Sequence, residues 1–340
     1  MTETVPDGSN DDAGPVLVVL SAAGLVPPAG LDRLEGRLEI RHTDADGLAD
    51  ALPGAHALLM WDHFSPALVA AWEQADRLAW IHVAAAGVDH VMTPALRASE
   101  VVVTNSRGVF DAPIAEYVLA LLLAHAKDLA TTVRDTDAHR WHYRENTRLA
   151  GTRAVVVGTG ALGRATGRLL HAVGVRVRGI ARSSRDADPD FDEVVGAAEL
   201  AKDPVAAVGD ADHVVVTAPL TPATRGMISA EVLDAMPPHA HLVNVGRGPI
   251  VDTGALVAAL HAGRLGAASL DVTDVEPLPP DDPLFSAPHV LISPHCSGDV
   301  AGWRGVLSEL FVEQAQRFLD GRPLENVVDR DAGFVPGSTP

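Results

Sequence analysis

The sequence predicts an α/β protein built from two doubly wound parallel-sheet domains with a cleft between them. From Pro15 onward, short runs rich in β-branched residues alternate with stretches of helical spacing, which is typical of repeated βα units. In the second half of the chain these runs are almost continuous Val, Leu and Ile, as expected when helices cover both faces of a sheet. The length of 340 residues also fits two domains of ordinary size.

Four strand-like runs predict the sheet of the first domain, at 16–20, 56–61, 78–83 and 101–105. The stretches between them have helical spacing. A long helix is then predicted to begin after Asp111, with Pro113 near its first turn, and to run to about Leu129.

Six further runs predict the sheet of the second domain, at 153–158, 175–180, 213–219, 241–246, 268–272 and 290–295. No strand follows the last predicted helix, from about 300 to 319, so that helix is expected to return to the first domain. The predicted domains are therefore 15–110 plus 299–330 and 111–298, with a disordered tail at 1–14 and a second tail at 331–340.

Composition excludes several classes of partner and site. Asp and Glu outnumber Lys and Arg by 45 to 26, a net charge of -19, which disfavours nucleic acid and anionic membranes. Cys296 is the single cysteine, so no intramolecular disulfide is possible, and no metal site is predicted. The start has no basic and apolar export signal, which together with the cysteine usage predicts a cytoplasmic protein. The longest apolar stretch, at 117–126, is too short to span a membrane.

A glycine motif predicts a dinucleotide site at 158–163, where GTGALG follows a predicted strand and opens a predicted helix. Gly158 permits a tight turn, Gly160 removes a Cβ that would block a pyrophosphate, and Gly163 lets the helix approach the strand. The N-terminus of the helix favours phosphate. The alternative interpretation is a loop of three glycines that binds nothing.

The expected ribose position lacks a carboxylate. Ala181 stands where an NAD-binding unit normally has Asp or Glu, and Arg182, Ser183, Ser184 and Arg185 follow it. These donors and cations favour the 2'-phosphate of NADP(H), with NAD(H) as the alternative cofactor. The competing interpretation is that the arginines are solvated loop charges.

Three segments at predicted strand ends contain groups for reducing a ketone with hydride, which needs a cation to polarise the carbonyl and an acid to protonate the alkoxide. They are 246–248 with Arg247, 273–277 with Glu276, and 294–298 with His295. Each residue alone is more often an ordinary surface or loop residue. Together, on successive strand ends of one unit, they indicate a site.

The motifs GTGALG, NVGRGPIVD, LDVTDVEPLP and ISPHCSGD, in this order, resemble the D-isomer-specific 2-hydroxyacid dehydrogenases. The resemblance covers the chain between the two tails. It implies that Arg247 binds the substrate carboxylate and polarises the 2-keto oxygen, and that His295 donates a proton in reduction and accepts one in oxidation. Glu276 would hydrogen-bond His295 and favour its protonated form, and Asp271 would lie near the nicotinamide.

The same resemblance assigns roles to both domains. Residues 15–110 plus 299–330 would be a flavodoxin-like substrate-binding domain, in which backbone N–H groups of Ala86 and Gly87 bind the substrate carboxylate. Residues 111–298 would be a Rossmann dinucleotide domain. Stretch 139–151 matches a segment that family members use for dimer contact, so a homodimer is expected. The implied cofactor contacts are Gly158, Gly160, Ala161, Leu162, Gly163, Arg182, Ser183, Ala218, Pro219, Val245, Gly246, Asp271, His295 and Gly298.

Within this family, the sequence is nearest to NADP-linked glyoxylate/hydroxypyruvate and 2-ketoacid reductases, acting on a small 2-keto or D-2-hydroxy acid. Formate dehydrogenases have Gln at the position of Glu276, which disfavours formate as substrate. Phosphoglycerate-type members have an acidic ribose residue, which Ala181 is not. Two alternatives remain open: a dinucleotide-sensing, corepressor-like binding protein, and a phosphite-type dehydrogenase. Side chains such as Trp61, Phe110 and Trp303 leave the substrate's identity undecided.

Overall fold

A computed structural model describes residues 14–336, which divide into two units. The first contains the chain up to Phe110 and again from Ala301, and the second is Asp111–Val300. The predicted tail at 1–14 lies outside the described residues except for Gly14. The return to the first unit comes after Val300, two residues later than the boundary drawn from the sequence.

Five parallel strands form the sheet of the first unit. They are β1 (Val16–Leu20), β2 (Glu39–Thr43), β3 (Ala57–Met60), β4 (Trp80–Val83) and β5 (Val102–Asn105). Helices α1 (Leu48–Ala51), α2 (Ala67–Ala71) and α3 (Pro94–Ala98) connect them, with short 3-10 turns at Leu31–Leu34 and Trp72–Gln74. The strand order β2-β1-β3-β4-β5 is that of a flavodoxin-like doubly wound sheet.

Seven parallel strands form the sheet of the second unit: β6 (Arg153–Val157), β7 (Arg176–Ala181), β8 (Glu193–Gly196), β9 (His213–Val216), β10 (His241–Asn244), β11 (Ala267–Leu270) and β12 (Val290–Ile292). Read from the β8 edge, the order is β8-β7-β6-β9-β10-β11-β12. This is the Rossmann order with one strand added. The predicted class of two doubly wound parallel sheets is confirmed.

The helices of the second unit are α4 (Asp111–Ala126), α5 (Leu129–Asp137), α6 (Ala161–Ala172), α7 (Ala197–Lys202), α8 (Pro204–Val208), α9 (Ala230–Ala235) and α10 (Thr253–His261). Short 3-10 turns cover Gly248–Ile250 and Pro283–Ser286. The long helix predicted to reach Leu129 ends earlier, because Asp128 has a left-handed backbone (φ 45°) and a separate helix follows it.

The last helix, α11 (Trp303–Leu319), belongs to the first unit. Its Phe311 ring stacks on Trp80 of β4 with ring centroids 5.7 Å apart, so the helix covers one face of the sheet. Residues 331–336, assigned to a tail from the sequence, are also held here. Arg107 donates to the carbonyl of Pro336 at 2.7 Å, and Arg97 to the carbonyl of Asp331 at 3.3 Å.

Strands β2 and β8 were not predicted. Both are edge strands: among the strands of its sheet, β2 pairs only with β1, and β8 only with β7. An edge strand is partly solvated, so it lacks the continuous apolar run that marks a central strand. β2 has the sequence EIRHT and no fully buried residue. Within residues 14–336, no helix is long and apolar enough to cross a membrane.

Candidate active site

The glycine motif forms a tight turn between β6 and α6. Gly158 has φ 105°, and a Cβ there would lie 2.7 Å from the backbone nitrogen of Ala218. A Cβ on Gly163 would overlap the carbonyl oxygen of Gly158, so helix and strand approach as closely as the motif predicts. Thr217 stabilises the turn by donating to the same carbonyl at 2.8 Å.

Gly160 differs from the other two glycines because a Cβ there would meet nothing within 4 Å. The space beside it is open, and α6 begins at the next residue with its unpaired N–H groups. Ala218 and Pro219 follow β9, and Val245 and Gly246 follow β10, so these turns lie at the same sheet edge. An open space at a helix N-terminus fits the pyrophosphate of a dinucleotide.

At the end of β7, Ala181 is the last strand residue, and Arg182 and Ser183 are exposed after it. Arg185 is engaged within the protein: it donates to the hydroxyl of Thr159 at 2.8 Å and lies 3.1 Å from Asp188. Arg182 is the exposed cation that directly follows Ala181 at this strand end.

Asp188 is a carboxylate close to this loop, and its charge is compensated. Arg164 contacts both of its oxygens, at 3.0 and 2.9 Å. Burial alone would raise the pKa of Asp188, but the Asp190 N–H and the two arginines, Arg164 and Arg185, lower it below its usual range. The loop thus presents no unpaired carboxylate from Asp188 to an anionic ligand.

Arg247 lies in the turn after β10, and Asn244 shapes that turn. The Asn244 amide donates to the carbonyl of Arg247 at 3.0 Å and accepts from the Gly246 N–H at 3.1 Å. A Cβ on Gly248 would overlap the backbone of Thr273, so the Arg247 turn packs directly on the segment that contains Glu276.

Glu276 and His295 contact each other directly, with 2.7 Å between Oε2 and Nδ1. The other carboxylate oxygen of Glu276 accepts the Thr273 N–H at 2.9 Å. Burial alone would raise the pKa of Glu276, but the hydrogen bonds from His295 and Thr273 and the charges of His295 and Arg247 lower it. Arg247, Glu276 and His295, predicted from three separate segments, are therefore brought together in one unit.

Asp271, which the resemblance places near the nicotinamide, makes contacts within the protein that the sequence did not indicate. Its side chain is 1% exposed, and its carboxylate accepts the Ser293 hydroxyl at 2.6 Å and the N–H groups of Cys296 and Ser297 at 3.0 Å each. Its carbonyl accepts the N–H of His295 at 2.9 Å. Asp271 thus holds His295 itself through its carbonyl and the two residues after it through its carboxylate. Gly298, at the end of the same loop, is buried.

Ala86 and Gly87, the predicted carboxylate contacts, lie in the loop after β4 of the first unit. The Asn105 amide at the end of β5 donates to the carbonyl of Ala86 at 2.5 Å. Because C=O and N–H point in opposite directions across a trans peptide, this bond turns the Gly87 N–H away from Asn105. Their role toward a substrate stays a prediction.

Sequence reasoning missed the groups that orient the site, namely the side chains of Asn244 and Ser293 and the backbone N–H of Thr273. One signal was present for Asn244, which is the only polar residue in the apolar run LVNV. Among residues 14–336, no group of three or more His, Cys, Asp or Glu side chains is arranged to hold a metal ion.

Comparison with known proteins finds one matching family model and several similar reductases. Residues 119–297 match the family model described as the NAD-binding domain of D-isomer specific 2-hydroxyacid dehydrogenases. The chain is 32% identical over 267 residues to glyoxylate reductase of Aeropyrum pernix, covering 76% of this chain and 78% of the relative. It is 31% identical over 241 residues to hydroxyphenylpyruvate reductase of Plectranthus scutellarioides, covering 70% and 74% of the two chains.

Two solved structures resemble most of the chain. One is a D-isomer specific 2-hydroxyacid dehydrogenase from Xanthobacter autotrophicus Py2 in complex with NADPH and MES, with 31% identity and a TM-score of 0.77 over 95% of this chain and 100% of that one. The other is an NADPH-dependent glyoxylate/hydroxypyruvate reductase from Sinorhizobium meliloti in complex with NADP and sulfate. It has 28% identity and a TM-score of 0.79, over 94% of this chain and 100% of that one.

Proposed function

Because the chain belongs to the D-isomer specific 2-hydroxyacid dehydrogenases, which are NAD(P)-dependent oxidoreductases, we propose that it reduces a small 2-keto acid of the glyoxylate or hydroxypyruvate type to the D-2-hydroxy acid. The observation that supports this best is the 2.7 Å contact between Glu276 and His295, with Arg247 close enough to lower the pKa of Glu276. A cation beside an oriented acid is what reduction of a ketone requires.

The residues divide the chemistry among them. A bound nicotinamide dinucleotide would supply the hydride. Arg247 would bind the substrate carboxylate and polarise the keto oxygen, which makes its carbon the electrophile. The Nδ1 of His295 is held by Glu276, so Nε2 would deliver its proton to the oxygen as the carbonyl becomes an alcohol. The histidine is then neutral: its Nδ1–H donates a hydrogen bond to Glu276, and its Nε2 can accept a proton in the reverse direction.

We propose NADP(H) as the preferred dinucleotide, with NAD(H) as the alternative. Ala181 ends β7 without a carboxylate, and the exposed Arg182 and Ser183 follow it. A guanidinium there would form a charge-assisted hydrogen bond with a 2'-phosphate. The proteins from Xanthobacter and Sinorhizobium, whose complexes contain NADPH and NADP, support the same choice.

Turnover by the purified protein tests the function. NADPH oxidation would be followed with glyoxylate, hydroxypyruvate and phenylpyruvate, and NADP⁺ reduction with phosphite. We expect saturable reduction of at least one keto acid. In His295→Ala, kcat for this reduction should be about 10²- to 10⁴-fold lower. NADPH binding without turnover of any of these compounds would instead support the dinucleotide-sensing alternative, and turnover of phosphite alone would support the phosphite-type dehydrogenase.

We also propose that the protein is a two-fold homodimer that uses α5 and the segment after it. Trp141 is 101% exposed, and Leu129 and Val133 of α5 are exposed as well. Large exposed apolar side chains are typical of protein interfaces. Most soluble oligomers are symmetric assemblies of one chain, so the proposed partner is a second copy of this protein. Sedimentation should give twice the 35.5 kDa chain mass, and Trp141→Ser should shift it toward the single chain. A single-chain mass for the unaltered protein at micromolar concentration would contradict the dimer.

A further inference from the structure

Arg164 connects the glycine turn with the loop that follows β7. It is the fourth residue of α6, directly after Gly163, and its two terminal nitrogens donate to the two carboxylate oxygens of Asp188 at 3.0 and 2.9 Å. We propose that Arg164 sets the selectivity for a 2'-phosphorylated dinucleotide by compensating the charge of Asp188. This inference rests on the proposed function, in which NADP(H) binds at the glycine turn.

Asp188 is a nearly buried carboxylate in a loop that is expected to meet a phosphate. Its side chain is 2% exposed, and it also accepts the Asp190 N–H at 3.0 Å. The guanidinium of Arg185 lies 3.1 Å away. A bidentate arginine–carboxylate pair is among the strongest charge-assisted hydrogen-bonding arrangements, so Arg164 supplies most of the compensation. Without Arg164, Asp188 would depend on the guanidinium of Arg185.

Arg185 joins the same loop to the glycine turn. Its Nη2 donates to the hydroxyl of Thr159 at 2.8 Å, and Thr159 stands between Gly158 and Gly160. The side chain of Arg185 is 38% exposed. A guanidinium has five N–H donors, so the bond to Thr159 leaves others for an anion at this turn. Arg185 can serve a 2'-phosphate as long as another cation compensates Asp188.

Arg168 differs from Arg164 in what its loss would expose. It lies one turn further along α6, contacts Asp190 at 3.2 Å, and has a side chain that is 60% exposed. Asp190 has a second arginine, because Arg164 contacts it at 2.9 Å. Loss of Arg168 would thus leave both carboxylates paired with Arg164. Loss of Arg164 would leave Asp188 to Arg185 and draw that guanidinium away from a ligand.

The Arg164→Met variant tests the proposal because it keeps an unbranched side chain and removes the cation. Binding of NADPH and of NADH to the purified protein is measured by titration calorimetry, without substrate or turnover. We expect the affinity for NADPH to fall by about 10-fold, the lower end of what losing a hydrogen bond to a charged group costs. The affinity for NADH should be nearly unchanged, since a carboxylate does not repel a ribose hydroxyl.

Arg168→Met is the matched control. It changes the net charge by the same amount and on the same helix, but it leaves the bonds from Arg164 to Asp188 in place. The ratio of its affinities for NADPH and NADH should therefore stay that of the unaltered protein.

A double variant, Arg164→Met with Asp188→Asn, separates charge compensation from a merely structural role. The side-chain oxygen of the introduced asparagine can still accept the Asp190 N–H, but the neutral amide no longer attracts Arg185. We expect its affinity for NADPH to return close to that of the unaltered protein. A structural role of Arg164 would instead leave the double variant as impaired as Arg164→Met, because the arginine is missing from both.

These measurements also separate this role of Arg164 from the proposed function. A preference of the unaltered protein for NADH would contradict the proposed cofactor, while the change caused by Arg164→Met would still decide the role of Arg164. Failure of the unaltered protein to bind either dinucleotide would overturn both. Equal losses of affinity in Arg164→Met and Arg168→Met, or for NADPH and NADH, would overturn the role of Arg164. If Arg164→Met does not fold, the double variant decides: an affinity for NADPH about 10-fold below that of the unaltered protein overturns this role, and an unchanged affinity supports it.

Discussion

Oε2 of Glu276 lies 2.7 Å from Nδ1 of His295, and the Thr273 N–H holds the other oxygen of the same carboxylate. The carboxylate is thus fixed from two sides, and one histidine nitrogen is committed to it. The lowered pKa of Glu276 means that its charge is present throughout the neutral range and is lost only as the pH falls through that lowered value. The pair therefore combines orientation with a permanent negative charge beside the imidazole.

The first prediction concerns the pH dependence of Glu276→Gln. Reduction needs the protonated His295, and a carboxylate stabilises an imidazolium where a neutral amide does not. Reduction in Glu276→Gln should therefore decline at lower pH than in the unaltered enzyme, and oxidation of the hydroxy acid should become effective at lower pH. The measurement is kcat/KM against pH in both directions.

Asp274→Asn is the control for this prediction. Asp274 lies in the same segment, is exposed, and bonds to Thr253 at 2.9 Å. Its variant should have the pH profile of the unaltered enzyme. Identical profiles for Glu276→Gln and the unaltered enzyme would show that the charge of Glu276 does not act on the proton-transfer step.

The second prediction concerns the choice of dinucleotide. Ala181→Asp combined with Arg182→Ala places a carboxylate at the end of β7 and removes the exposed cation after it. A 2'-phosphate would then be repelled, while a ribose hydroxyl would gain an acceptor. The ratio of kcat/KM for NADPH to that for NADH should fall by about 10- to 100-fold, as expected from losing one hydrogen bond to a charged group.

Arg176→Ala removes an exposed cation from the opposite end of the same strand and should leave this ratio unchanged. A higher kcat/KM with NADH than with NADPH in the unaltered protein would already contradict the prediction.

The sequence predicts strands that are continuous apolar runs far better than the edge strands β2 and β8 or the orienting contacts, and the apolar edge strands β5 and β12 were predicted. The central strand β6 is a run of Val and its bounds agree within one residue, whereas β2 and β8 have charged or short sequences because one side faces solvent. The catalytic candidates were found because each follows a strand. Ser293 was not, since its hydrogen bond to Asp271 joins positions 22 residues apart in the chain and depends on tertiary packing. The cytoplasmic location stays a prediction.

Two buried histidines outside the candidate site, His82 and His213, give the molecule an acid sensitivity. They are 1% and 5% exposed, and burial lowers their pKa values to about 3 and about 4. They differ in their partners. His82 bonds to Thr104 at 2.8 Å and to Ser106 at 3.3 Å, whereas neither ring nitrogen of His213 has a hydrogen-bond partner within the described residues.

The sign of the pH effect follows from these values. Above the ordinary histidine pKa of 6.5, both states of the protein hold His213 neutral, so it adds no pH dependence. Between pH 6.5 and about pH 4 the unfolded chain binds a proton that the folded protein does not. The free energy of unfolding therefore decreases as the pH is lowered through this interval. For His213 the total decrease in the free energy of unfolding is on the order of 3 kcal/mol, reached near the lower of these two pH values.

The third prediction compares His213→Leu with His82→Leu by urea unfolding at pH 7 and pH 5. At pH 7, His213→Leu should be neutral or stabilising, because it removes a buried polar ring that has no partner to lose. His82→Leu should cost about 1–3 kcal/mol, because the hydroxyls of Thr104 and Ser106 lose their bonds to the ring. Thr104 keeps the bond from the Trp80 indole, and Ser106 keeps the bond to the carbonyl of Val83. Between pH 7 and pH 5 both variants should lose less stability than the unaltered protein, since each has one fewer group that takes up a proton on unfolding. If His213→Leu were as destabilising as His82→Leu at pH 7, His213 would have an energetically important partner. If both variants lost as much free energy of unfolding between pH 7 and pH 5 as the unaltered protein, these histidines would not cause the acid sensitivity.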